Sequence, residues 1–300
     1  MLKIEHELAS QPLTWRRAAQ RAKAAADNLP KRGDRVAIIG CGTSYYIAQA
    51  MAALREQAGH GETDAYAASE AQLGRDYDAV LAVSRSGTTT EVLNALERVP
   101  DSVQTMAICA VADSPLPAAV KRVVVLEFAD EDSVVQTRFA TGALALVRAA
   151  LLAEPMNELS DAAEDALRQP LPAALAHFKQ IVFLSSGWGV GVANEAALKL
   201  REAAGAWTEA YPAMEYRHGP ISALTSKTLV WALGEVDGGV LDEAAAAGAT
   251  VVDNRRDPMV ELVMIHRAAV ALANARGLDA DQPRFLSRSV VLQGMPDPNG

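Results

Sequence analysis

Cysteine is almost missing from this sequence. Only Cys41 and Cys109 occur among 300 residues. Neither has metal-ligand or redox-pair spacing, and both sit in or beside apolar runs, so two reduced thiols in or near the core are expected. A basic excess is missing too. There are 28 Lys and Arg against 37 Asp and Glu, for a formal net charge of −9. Nucleic-acid scaffolds normally carry a basic patch or stripe, so that class of partner is disfavoured. A small anionic ligand is not, because a local nest of N–H donors can hold phosphate inside an acidic protein. Long apolar runs are also lacking. The longest, around residues 143–153, is interrupted by Arg148, which argues against a membrane span. Acidic and polar residues follow Met1-Leu2-Lys3 at once, so no signal peptide and a cytoplasmic location are expected. No spacing in the chain calls for a metal or an organic cofactor.

Half of the residues are hydrophobic and 22% are charged, the balance of a globular chain with a substantial core. The first half alternates strands and helices. Short apolar runs at 35–39, 79–83, 104–110 and 123–128 read as strands, with a further strand at 63–67. Helices are expected at 45–58, up to 98, and at 136–152. The polar, acidic stretch 154–172 ends in two prolines and reads as a boundary. Strands then recur at 180–184, 228–233 and 250–253, with helices at 192–204 and 258–275. This predicts an α/β protein of two tandem doubly wound units, residues 1–155 and 156–300, each a parallel sheet flanked by helices. About thirty residues precede the first strand, with room for one amphipathic helix.

Two loops in the first half sit where parallel α/β sheets bind ligands, after the carboxyl ends of strands. One is Gly40-Cys41-Gly42-Thr43-Ser44. The other lies in VSRSGTTTEV, residues 83–92, and holds five hydroxyls: Ser84, Ser86, Thr88, Thr89 and Thr90. One hydroxyl suffices to cap a helix. Five point to an anion site, with amide donors at a helix N-terminus and neutral hydroxyl donors around them. Neither loop is a P-loop or a dinucleotide fingerprint.

The segment 194–220, NEAALKLREAAGAWTEAYPAMEYRHGP, is the richest in chemistry. On a helix, Glu195, Lys199 and Glu202 stand at i, i+4 and i+7 and share one face. Such a row is commonly a solvated salt-bridge stripe, but the surrounding alanines and leucines are apolar, so a partly buried cleft is the equal alternative. There a lysine can hold a carboxylate as a base. His218, with Glu215 and Arg217 nearby, is a second acid/base candidate.

In combination, GCGTS, SRSGTT, EAALKLREAAG, TEAYPAMEYRHGP and DQPRFLSRSV resemble the sugar isomerase (SIS) domain family. The likeness is to the isomerase half of glucosamine-6-phosphate synthase and its stand-alone relatives, and it begins at ELASQP, residues 7–12. It implies that Ser44, Ser84, Ser86 and Thr89 hold a substrate phosphate, with Thr43 and Arg85 beside them. It also implies Glu202 as the base between C1 and C2, Glu195 and Lys199 as orienting groups, and a sugar pocket lined by Val134 and Gln136. His218 would assist ring opening from a neighbouring subunit, hence a homodimer with shared sites. The expected activity is phosphosugar isomerisation or amino-sugar-6-phosphate deamination, the alternatives being deglycation or non-catalytic sensing of a sugar phosphate. Three departures stand out. With Leu2 where the synthase has its nucleophilic cysteine, no glutaminase domain is expected; Arg288 stands where the synthase has a lysine, and Arg85 stands where it has a glutamine. An arginine forms no Schiff base, but Arg288 can still bind a hydroxyl or phosphate and stays a substrate-binding candidate.

Overall fold

The computed structural model describes residues 2–153, 156–236 and 238–292. The chain opens with α1 (Lys3–Ala9) and α2 (Gln11–Ala25). There follow β1 (Val36–Gly40), α3 (Thr43–Gln57), β2 (Thr63–Ala67), β3 (Ala79–Val83), α4 (Thr90–Glu97), β4 (Gln104–Cys109), the short α5 (Pro115–Ala118), β5 (Arg122–Val125) and α6 (Arg138–Leu152). After α7 (Asn157–Ala166) come β6 (Gln180–Ser185), α8 (Gly189–Ala204), β7 (Thr208–Pro212), β8 (Thr228–Leu233), α9 (Gly238–Ala246), β9 (Thr250–Val252) and α10 (Pro258–Ala275).

Two parallel sheets result. The first runs β2-β1-β3-β4-β5 and the second β7-β6-β8-β9. The order of the second repeats the first four strands of the first. The central strands β1 and β3 are buried throughout, which is why they read as continuous apolar runs rather than as alternation. Their two faces nevertheless serve different cores. Val36 and Ile38 point inward while Ala37 and Ile39 point outward, as the period-two pleat requires. The inward faces of both sheets share one core, in which Ile38 and Leu81 of the first join Phe183 and Trp231 of the second through Met51, Leu200 and Val263. Each outward face has a smaller cluster of its own.

Helices α3 and α8 carry the junction and run antiparallel. Thr43, at the start of α3, meets Lys199 near the end of α8. Gln49 meets Asn194 in mid-helix, at 2.9 Å. Gln57, at the end of α3, lies against Gly187 just before α8. The approach is close because residue 191 has no side chain. A Cβ there would sit 2.5 Å from the Ala50 amide nitrogen and 2.7 Å from the Tyr46 carbonyl oxygen.

Several expectations need correction. The leading segment holds two helices, because Pro12 sits at the start of α2 and Ser10 ends α1. The expected fifth strand stops at Val125 and turns into a 3-10 turn, Glu127–Ala129. Most of the expected boundary is α7, whose small residues Ser160, Ala163 and Ala166 are buried at helical spacing; residues 154 and 155 lie outside the described residues. The edge strand β7 and the helix α9 were not expected. Helix α10 keeps its expected bounds, with Asp257 capping the amide of Met259. Both cysteines are free, Cys109 fully buried and Cys41 partly so; burial pushes each thiol up to about 11. No helix among the described residues is long and apolar enough to cross a membrane.

Candidate functional site

The hydroxyl-rich loop leaves the carboxyl end of β3 and enters α4. Gly87 makes its turn, with φ +65° and Ser114 so near that a Cβ would meet its Oγ at 2.0 Å. Thr89 occupies the N-cap position of α4, yet its side chain caps nothing. The hydroxyls instead face one another. Ser84 Oγ and Thr89 Oγ1 lie 3.5 Å apart, and Thr88 Oγ1 is 3.0 Å from Ser86 Oγ. Ser84 is buried, as are Thr43 and Ser44 at the first turn of α3. The two loops leave adjacent parallel strands, so both helix N-termini open on the same sheet edge.

Lys199 joins this edge to α8. Its Nζ donates to Thr43 Oγ1 at 2.8 Å. It also pairs closely with Glu202 and lies 3.4 Å from Glu195 Oε1. Lys199 and Glu195 are buried completely, whereas the Glu202 side chain keeps 19% of its surface. Of the two alternatives left open by the spacing, the solvated stripe does not fit the burial of Glu195 and Lys199. Burial drives the Glu195 carboxyl up to about 8, against the pull of Lys199. Burial also works against the Lys199 ammonium, but Glu195 and Glu202 outweigh it and hold its pKa above the ordinary value. Glu202 opens onto a cavity of about 230 Å³ lined also by Arg201, Gln282 and Arg284. The cluster thus offers one carboxylate to a ligand, one ammonium fixed beside it, and a second carboxyl that favours its protonated form.

The loop of residues 130–137 is tied down by two buried glutamates that sequence reasoning passed over. Glu131 accepts from the amides of Thr137 and Arg138 and from the Thr137 hydroxyl, at 2.6 to 2.8 Å. It thereby caps α6. Glu7 of α1 accepts from the Ser133 amide at 3.2 Å and from the Ser133 hydroxyl. Val134 and Gln136 are half-buried on this loop. Glu7 lay in the quoted motif ELASQP, which was the available signal; Glu131 had none.

Arg85 does not extend toward solvent beside the hydroxyls. It is 1% exposed, and its Nη1 and Nη2 donate to the backbone carbonyls of Ser133 and Arg288, both at 2.8 Å. Glu131 stands 4.0 Å away as counter-charge. Arg288 itself pairs in two-pronged fashion with Asp130, at 2.5 and 2.6 Å. His218 is exposed after the 3-10 turn Ala213–Arg217. Among the described residues, no hydrogen bond or ion pair joins Arg288 or His218 to the Lys199 cluster. Thr43, Glu195, Lys199 and Glu202 thus come together directly, and Ser84, Ser86 and Thr89 share one loop on the same edge.

This arrangement defines an α/β protein of two parallel sheets with a candidate site at the carboxyl edge of the first. Residues 30–153 match the SIS domain family. Beyond that segment, the chain is similar to glutamine–fructose-6-phosphate aminotransferases. It is 25% identical to that of Methanothermobacter thermautotrophicus over 87% of this chain and 52% of the relative. It is 29% identical to that of Legionella pneumophila over 85% and 51%. The chain spans about half the length of the curated relatives it matches. Its fold is shared with the glucosamine-6-phosphate deaminase of Thermotoga maritima, with a TM-score of 0.81, 24% identity, and coverage of 97% of this chain and 100% of that one. The tagatose-6-phosphate ketose/aldose isomerase of Escherichia coli gives a TM-score of 0.77 at 18% identity, covering 95% and 96%.

Proposed function

We propose that this chain is a phosphosugar isomerase or amino-sugar-6-phosphate deaminase that moves a proton between C1 and C2 of a hexose or hexosamine 6-phosphate. The hydrogen bond between Thr43 and Lys199 carries the reading. It joins the first turn of α3 to the acidic side chains of α8, which supports a reading in which a substrate held by its phosphate presents its other end to Glu202. Phosphate binding remote from the reacting carbons supplies orientation. The names of the similar proteins support the same substrate class.

In this reading Ser44, Ser84, Ser86 and Thr89 hold the phosphate. Glu202, fixed by Lys199, takes the proton alpha to the open-chain carbonyl and returns it to the neighbouring carbon, a step worth roughly 100- to 10,000-fold. With a hydroxyl at C2 the product is the ketose phosphate. With an amine at C2 the product is an imine, which water cleaves to the ketose phosphate and ammonia. Glu195 favours its protonated form and serves as the orienting group behind Lys199. His218 stands apart from this cluster in its own chain, and the reading gives it to the site of a second copy, where it assists ring opening.

The test is to incubate the protein with glucosamine 6-phosphate and measure ammonia and fructose 6-phosphate. Glu202→Gln is expected to abolish turnover while the phosphosugar still binds. Full activity in that variant sinks the assignment.

A further inference from the structure

The segment after α10 returns across the molecule and lies on the hydroxyl-rich loop. Five contacts hold it there. Arg85 grips the Arg288 carbonyl at 2.8 Å. Ser289 Oγ stands 3.1 Å from Ser86 Oγ and 2.8 Å from Thr88 Oγ1. The Thr90 amide, in the first turn of α4, donates to the Val290 carbonyl at 3.2 Å. The Leu292 amide donates to Thr90 Oγ1 at 3.0 Å. The Arg288 side chain is drawn aside onto Asp130.

Ser86, Thr88 and Ser289 therefore form a triangle of hydroxyls with edges of 2.8 to 3.1 Å. Each hydroxyl has a single hydrogen, and within the triangle it can be given only to another hydroxyl. Such a group is a neutral donor set awaiting a better acceptor. A phosphate oxygen at the N-terminus of α4 is one, because hydrogen bonds to an ionised acceptor are shorter and stronger than those between neutral groups.

We propose that Ser289 is a ligand of the substrate phosphate, supplied to the loop by the C-terminal segment, and that Arg85 is the positioning residue that holds it there. Arg85 is buried and donates to backbone carbonyls on either side of it, so it fixes the loop of Ser133 and the segment of Arg288 together without meeting the anion. The ligand class is a phosphomonoester dianion. This inference rests on the proposed function for its phosphosugar, but not on turnover.

The probe is glucitol 6-phosphate, a hexitol without a carbonyl, titrated calorimetrically into the full chain with neutral glucitol as the control. Ser289→Ala is expected to weaken binding about 10- to 100-fold, the usual worth of a hydrogen bond to a charged group. Ser289→Thr, which keeps the hydroxyl, is expected to stay near the unsubstituted protein. Arg85→Gln is expected to weaken binding by a similar factor. Trypsin cleavage after Arg288 in the unsubstituted protein is expected to slow when glucitol 6-phosphate is present, a protection that Ser289→Ala loses.

If Ser289→Ala binds as tightly as the unsubstituted protein, the inference is overturned. If it binds more tightly, Ser289 occupies the place of a phosphate oxygen, and the inference is overturned as well. Normal turnover of glucosamine 6-phosphate with unchanged binding in Ser289→Ala removes the inference and leaves the proposed function. Ser289-dependent binding without turnover of any hexose 6-phosphate removes the function and leaves the inference. If the unsubstituted protein does not bind glucitol 6-phosphate, both fall.

Discussion

Thr43 and Lys199 lie 156 positions apart and are joined by a 2.8 Å hydrogen bond. The bond ties the first turn of α3 to the last turns of α8, and nothing in the local sequence of either residue announces it. Lys199 is buried completely, so its charge is sustained by the Glu202 carboxylate and the neighbouring Glu195 carboxyl rather than by water. Such a cluster is a weak source of stability as a whole but a costly one to break in part.

Lys199→Met leaves Glu195 buried without its cation and Thr43 without its donor. A loss of about 3 kcal/mol in unfolding free energy is expected, toward the low end for a broken buried pair because Glu195 can take up a proton. The double variant Lys199→Met/Glu195→Gln is expected to lose less than the sum of the single variants. Urea denaturation of the four proteins checks this, and strict additivity argues against the coupling.

Stability is expected to fall at both ends of the pH range for separate reasons. The Glu195 carboxyl ionises in the ordinary glutamate range when unfolded and at about 8 when folded. Between those values the folded state carries the extra proton, so this contribution is full at the acid end and is lost as pH rises to about 8. His266 behaves in the opposite sense. It is buried in α10, and burial lowers it to about 3, with Lys199 adding to the effect. The unfolded chain takes up a proton near 6.5, so stability from this group is lost as pH falls from 6.5 toward 3. Each proton gives a slope of at most about 1.4 kcal/mol per pH unit. Thermal melts across pH should show Glu195→Gln flattening the alkaline side and His266→Leu the acid side.

Gly191→Val must push α8 off α3, because the new side chain meets backbone rather than a flexible side-chain end. A destabilisation of about 1–3 kcal/mol is expected from such overpacking, together with reduced turnover as Lys199 moves away from Thr43. Gly74→Ala is the control, since nothing stands within 4 Å of its added Cβ. A Gly191→Val protein as stable and active as the control would show that the close approach is not needed.

The central strands and α10 were legible because burial on both faces gives unbroken apolar runs, and because Pro258 and Gly277 mark the ends of a long periodic segment. The strand β7 was not. It lies at the edge of its sheet, most of its residues are only half-buried, and its sequence TEAYP has no apolar run to detect. The acidic stretch that reads as a boundary contains helix α7, whose buried face consists only of small residues. The i, i+4, i+7 spacing identified the Glu195, Lys199 and Glu202 cluster, since the contacts of that cluster are set by one helix. The direction taken by Arg85 was not legible. Its partners are Ser133 and Arg288, 48 and 203 positions away, and both bonds go to backbone carbonyls that carry no residue-specific signal.

The antiparallel seam between α3 and α8 also makes the molecule divisible in an informative way. A chain cut between residues 153 and 156 yields one piece with Thr43 and the hydroxyl loop and another with Glu195, Lys199 and Glu202. Neither piece keeps both members of the bond that links them, and each exposes the helix face that the other had covered. Reassembly of the two pieces would restore the shared core and the Thr43–Lys199 contact in one event, so recovered activity on mixing would be a direct titration of how strongly the two sheets hold each other.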